Sequence, residues 1–186
     1  NAKEFNLRGF FRTGHYHWAY EGDFFNLYRE ANYGPNLDIY NGEISGIEFD
    51  AKGALSGLKG AFGPQLWWGA NPAVLLKYGK RLGNWDVAAI YHEDIDDVGS
   101  AVTSIAIPLP KTRRISLAAE RQIGAFKFEI GGLWGGQPLN GREFQIAEGT
   151  TDNYIIYTDE INEKDNWGAK AKLSYEKGAF KWYAQG

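Results

Sequence analysis

The chain has 186 residues, enough for one domain with a sizeable core, and carries a formal net charge of −3. It contains no cysteine, which excludes disulfides and thiolate metal sites, and 24 glycines with 16% aromatic residues favour strands over helices. No apolar run approaches the roughly 20 residues of a transmembrane helix, a test that says nothing about β-barrels.

In chain order, nine strands are expected, at about 4–14, 45–52, 57–67, 72–79, 85–91, 113–121, 125–134, 168–176 and 179–185. Within them, apolar and polar residues alternate, because successive strand side chains point to opposite faces. Trp85, Val87, Ala89 and Tyr91 alternate with Asp86, Ala88, Ile90 and His92. Ile115, Leu117 and Ala119 alternate with Arg114, Ser116, Ala118 and Glu120. Phe126, Phe128 and Ile130 alternate with Lys127, Glu129 and Gly131. Ala169, Ala171, Leu173 and Tyr175 alternate with Lys170, Lys172, Ser174 and Glu176, and Phe180 and Trp182 with Lys181 and Tyr183.

The joints alternate too. Short reversals fall near Gly53–Gly57, at Gly79–Asn84, at Gln122–Ala125 and at Lys177–Ala179. Long connections are expected at about 15–44, 92–112 and 135–167, with the shorter WWGANP at 67–72. In an up-and-down meander, this puts every short turn at one end and every long loop at the other. Charge divides the same way. The acids of 73–91, 113–134 and 168–186 are Asp86, Glu120, Glu129 and Glu176, outnumbered by Lys and Arg, whereas 92–99 and 135–167 hold eleven acids against Arg142 and Lys164.

Two solvents produce such alternation. In a soluble β-sandwich the apolar face forms the core, and in a membrane barrel it meets lipid while the polar face lines the lumen. Turn asymmetry and aromatic placement favour the barrel. Trp85, Phe126 and Phe180 begin strands just after short turns, and Tyr91, Trp134, Trp67 and Trp68 stand at the opposite ends, as girdle residues do. Residues 72–134 and 168–186 resemble hairpins of a Gram-negative outer-membrane β-barrel of the porin-like kind.

The resemblance implies an outer-membrane location, lipid as the surrounding partner and passage or surface binding of polar solutes, saccharides among them, with no catalysis. Bacterial single-chain barrels use even strand numbers, so nine strands imply a piece of a longer protein or completion by other subunits. The whole of 1–186 is read as one β-barrel domain or part of one, an incomplete antiparallel barrel. The competing reading is a secreted, soluble, aromatic-rich β-sandwich that binds carbohydrate.

Candidate lumen residues are Arg114, Glu120, Lys127, Glu129, Lys170, Lys172 and Lys181, whose charges would set selectivity. The aromatic loop YHWAYEGDFFNLYREANYGPNLDIYNG, 16–42, has two readings: a loop that packs on itself, into the lumen or over the strands, and a sugar platform. For the platform, Trp18, Tyr20, Tyr28 and Tyr33 are the candidates, followed by Trp67 and Trp68. HEDIDD, 92–97, offers Asp94, Asp96 and Asp97 to Ca²⁺, but lacks the EF-hand spacing and reads first as a solvated loop. His15 and His17 form at most half a metal site. No cofactor is expected. There is no GxSxG and no phosphate-loop lysine, and the basic residues alternate with apolar ones, which argues against a nucleic-acid groove.

Overall fold

A computed structural model describes residues 3–11, 22–27, 45–63, 73–95 and 113–186. Its strands are β1 (Phe5–Phe11), β2 (Ser45–Ala51), β3 (Leu58–Gly63), β4 (Ala73–Leu82), β5 (Trp85–Asp94), β6 (Arg113–Ile123), β7 (Phe126–Gly136), β8 (Glu143–Thr150), β9 (Asn153–Glu160), β10 (Asn166–Lys177) and β11 (Phe180–Gln185). Nine form one sheet in the order β1-β2-β3-β4-β5-β6-β7-β10-β11, every neighbouring pair antiparallel. The nine expected strands are the nine of this sheet. β1 and β11 are its edges, and among the described residues the sheet does not close into a barrel.

The long connection 135–167 is not a plain loop. It contains the β8–β9 hairpin, a separate two-stranded sheet. Acids in that stretch masked the strands in the sequence, yet Phe144, Ile146, Tyr154 and Ile156 supply β-forming side chains between them. The connection after β5 also starts later than residue 92, because His92, Glu93 and Asp94 still pair with β4. The 67–72 joint lies outside the described residues.

The short joints are tighter than expected. Leu82 faces Trp85 across Gly83–Asn84, Ile123 faces Phe126 across Gly124–Ala125, and Lys177 faces Phe180 across Gly178–Ala179. Gly83, Gly124 and Gly178 adopt φ of 61°, 60° and 61°, and the residue after each keeps negative φ. That is the two-residue turn with glycine first, whose twist matches that of the flanking strands. With the Lys52–Gly57 joint, which holds a 3-10 turn at Gly53–Leu55, all four short joints sit at one end of the sheet.

Register carries the alternation across all nine strands. One face collects Leu7, Ile47, Phe62, Leu76, Val87, Leu117, Ile130, Leu173 and Trp182; the other collects Glu48, Lys77, His92, Ser116, Glu129 and Lys172. Burial favours the charged face. On the apolar face Leu117 is 56% and Ile130 55% exposed, while on the charged face Leu75 is 0% and His92 2% exposed. Glu48, Ala61, Lys77, Ile90 and Ser116 are buried there as well; Ala51, at the end of β2, is buried in the other register.

At the short-turn end the β2–β3 joint approaches the backbone of β4 closely. Gly57 has φ of 97°, its N–H-accepting carbonyl binds Gly79 N at 2.9 Å, and a Cβ on it would stand 2.0 Å from the Gly79 carbonyl oxygen. Gly57→Ala therefore meets both left-handed strain and a backbone clash, and should cost more than about 2 kcal/mol. Gly83→Ala has the same sign of φ but open space, and should cost only about 1 kcal/mol. Unfolding midpoints of the two refolded variants check the ranking.

Candidate functional site

The charged face is occupied by a short turn from the aromatic loop. In residues 22–27, the Phe24 amide donates to the Gly22 carbonyl at 2.9 Å and the Asn26 amide to the Asp23 carbonyl at 3.1 Å. The Leu27 amide donates to Asp23 Oδ1 at 3.0 Å, so the buried Asp23 side chain holds the turn from within. Asn26, at φ of 56°, takes the left-handed conformation that Asn tolerates best among non-glycine residues.

Three strands hold this turn. Gly22 lies over β5, where its own Cβ would come 2.8 Å from the Cβ of Ala88. Phe24 and Phe25 pack over β7, where a Cβ on Gly131 would meet their rings at 2.9 and 3.0 Å. From β10, Lys170 Nζ donates to the Phe24 carbonyl at 3.0 Å and sits 4.6 Å from the centroid of the same ring. Small residues thus make room and one lysine clamps. Of the two readings of the aromatic loop, packing over the strands describes this segment. Trp18, Tyr20, Tyr28, Tyr33, Trp67 and Trp68 lie outside the described residues, as do His15, His17, Asp96 and Asp97.

Beside the turn lies an open cleft of ≈ 580 Å³, with Gly79, Ala88 and Ala118 in its floor. One cross-strand row lines it: Arg81 faces Asp86, Asp86 faces Glu120 and Glu120 faces Glu129, which in turn faces Lys172 on β10 outside the cleft. Like charges directly opposite repel. Lys127, two residues before Glu129, relieves this by reaching Glu120 at 2.8 Å and Glu129 at 3.2 Å, and Lys172 reaches Glu129 at 3.5 Å.

The seven residues expected to line a lumen share one face by register. They are not independent charges. Lys127 and Lys172 are tied to Glu120 and Glu129, Lys181 pairs with Glu176 at 2.5 Å, and Lys170 holds the turn. Arg114 lies against His92, its Nη2 2.9 Å and its Nε 3.2 Å from His92 Nδ1.

Sequence reasoning missed Lys77 and Glu48, buried on the same face. Their signal was available, since Lys77 alternates with Leu76 and Tyr78 within β4, and Glu48 with Ile47 and Phe49 within β2. It also missed a cluster on the apolar face at the long-loop end, because Glu93 was assigned to a loop. There Arg113 Nη2 contacts Glu93 Oε1 at 2.5 Å, and the Tyr91 hydroxyl donates to the same carboxylate. Asp94 is the last residue of β5 rather than part of a loop, and no cluster of three or more metal-ligating His, Asp or Glu occurs among the described residues.

No family model, no curated protein and no solved structure matches this chain.

Removing the central lysine should expose the carboxylate repulsion. Lys127→Met is expected to destabilise the sheet by about 1 kcal/mol, with Glu120→Gln in the same chain restoring part of it. A double-mutant cycle should return a coupling of about 0.5–1 kcal/mol that shrinks as salt is added, because these side chains are partly exposed.

Proposed function

We propose that this sheet is wall of a transmembrane β-barrel of the outer-membrane, porin-like kind, whose charged face lines an aqueous path for polar solutes, saccharides among them. The observation that carries the reading is the inverted burial: one sheet exposes large apolar side chains on one face, while its fully buried residues, Leu75, Ile90 and His92, lie on the charged one. In water, an apolar surface continuous over nine strands far exceeds the few hundred Å² usual on soluble monomers. In a bilayer the same face is solvated by lipid, and the charged face keeps its water. A soluble sandwich would have to bury the exposed face.

Dimensions agree with that reading. β6 and β7 each have 11 residues, within the 9–11 of a tilted spanning strand. On the apolar face Leu76, Tyr91, Ile115, Trp134 and Trp167 form one directly paired row near the long-loop end, with the Trp134 and Trp167 rings 6.3 Å apart. The next row beyond it holds the Glu93–Arg113 pair, where the apolar band ends. At the short-turn end, Ile123, Phe126, Tyr175 and Trp182 form the matching row. There Arg121 also enters the apolar face, its guanidinium 5.8 Å from the Trp85 ring centroid, as a basic side chain does when its head reaches headgroups. Eight residues from Phe126 to Trp134 span about 26 Å of strand, roughly 20 Å of height after tilt, against an apolar band of about 25 Å.

Passage in this reading is diffusive and involves no covalent chemistry. The 22–27 turn narrows the path, and the ion pairs on β6, β7 and β10 give it fixed charges of both signs. The first and ninth strands of a meander run in the same direction, so an even-numbered antiparallel barrel needs further strands between the edges of β1 and β11.

Arginine scanning separates the two faces. Ile130→Arg and Ala171→Arg, which face each other across β7 and β10 on the apolar side, should each cost about 2–4 kcal/mol and impair insertion into lipid vesicles. Ser174→Arg, on the charged face of β10, should insert nearly as the parent does. The readout is the fraction of chain showing heat-modifiable gel mobility after folding into vesicles; equal behaviour of all three would remove the membrane reading.

A further inference from the structure

The β8–β9 hairpin is anomalous among the described elements. Among the described residues its two strands pair only with each other, leaving an open edge on each. All eight residues of β9 are exposed, with Ile155 at 71% and Tyr154 at 58%. A lone two-stranded hairpin is marginal in water, since it buries too little. Moreover, natural edge strands are blunted by charge or proline. β9 instead presents NYIIYT, 153–158, six residues without either.

The apolar groups lie on both sides. Ile146, Ile155 and Tyr157 share one face with Phe144, while Ala147, Tyr154 and Ile156 occupy the other. A lipid surface or a flat protein face would cover only one of these sets. A strand added in the plane of the hairpin uses the open backbone edge and brings side chains to both faces at once. Charge then selects the partner. Residues 142–165 hold seven acids, Glu143, Glu148, Asp152, Asp159, Glu160, Glu163 and Asp165, against Arg142 and Lys164. Edge-to-edge pairing with a second copy would bring two net-acidic hairpins together, which charge complementarity disfavours, whereas a basic strand is attracted.

We infer that the β9 edge is a docking site for a basic, extended polypeptide segment, which adds to the hairpin as a third strand. Backbone hydrogen bonds supply affinity, aliphatic side chains of the incoming strand cover Tyr154, Ile155, Ile156 and Tyr157, and its lysines or arginines meet Asp159 and Glu160. The site stands apart from the charged face of the main sheet, and the inference does not depend on what that face does.

The test uses the full chain and a fluorescent lysine–valine peptide about eight residues long to match β9, with a central run of consecutive valines between paired lysines so that both of its faces carry aliphatic side chains. Fluorescence anisotropy should rise saturably with this peptide. A glutamate–valine peptide and a lysine–valine peptide interrupted by proline should not bind. The double change Asp159→Asn with Glu160→Gln should weaken binding about tenfold. Hairpin unfolding cannot explain that loss, because Glu160 faces Glu143 directly and its neutralisation relieves repulsion. Ile155→Ser with Ile156→Ser should abolish binding. Failure of the lysine–valine peptide to bind overturns the inference, as does equal binding of the proline-interrupted peptide, which would show charge attraction without strand addition. Sedimentation showing self-association that Ile155→Ser with Ile156→Ser dissolves overturns it too, in favour of a second copy.

Discussion

Antiparallel register is the constraint on which everything else in this protein depends. Because side chains alternate strictly along a strand, a slip of one residue would carry every apolar group to the charged side. Eight successive pairings keep the same phase from β1 to β11, so that Leu7 on the first strand and Trp182 on the last belong to one continuous surface. The two-residue turns enforce that phase. Each places glycine at positive φ at its first position and lets no residue be gained or lost between the strands it joins.

Given that phase, the polar network becomes a matter of neighbouring rungs. Asp86, Glu120 and Glu129 stand in one row, an arrangement that electrostatics opposes unless cations intervene. Lys127 intervenes from the adjacent position on the same face, and Lys172 from the next strand. Such pairs at partly exposed positions contribute little to stability individually. Their consequence lies in the field they create: positive and negative groups are fixed side by side along the cleft instead of presenting the uniformly basic surface that a count over the strands implies. The turn at 22–27 depends on the same face, since Gly131 and Ala88 leave the space that its backbone and rings occupy.

The hairpin β8–β9 obeys a different logic. The main sheet separates apolar from polar by face, whereas the hairpin mixes them on both and leaves its edges open. The contrast is what the membrane wall proposed for the sheet and the strand docking proposed for the hairpin would each require. The Arg113–Glu93 pair and the Trp134–Trp167 contact sit near the base of this appendage, where the aromatic row of the sheet gives way to charge.

The sequence alone determined the strand periodicity, the strand count of the main sheet, the grouping of short turns at one end and the face to which Arg114, Glu120, Lys127, Glu129, Lys170, Lys172 and Lys181 belong. These follow from local rules: a period of two, glycine at tight turns, and strict alternation of joints. It did not reveal β8 and β9, because their apolar residues are interspersed with acids and, among the described residues, each strand pairs only with the other. Nor did it reveal that Lys127 bridges two carboxylates, that Lys170 clamps Phe24, or that Arg114 binds His92. Those contacts join residues up to 146 positions apart, and their existence depends on how strands stand beside one another. Only the tertiary structure decided which face is covered and which is bare, since alternation is the same whether the apolar side packs inward or meets an external solvent.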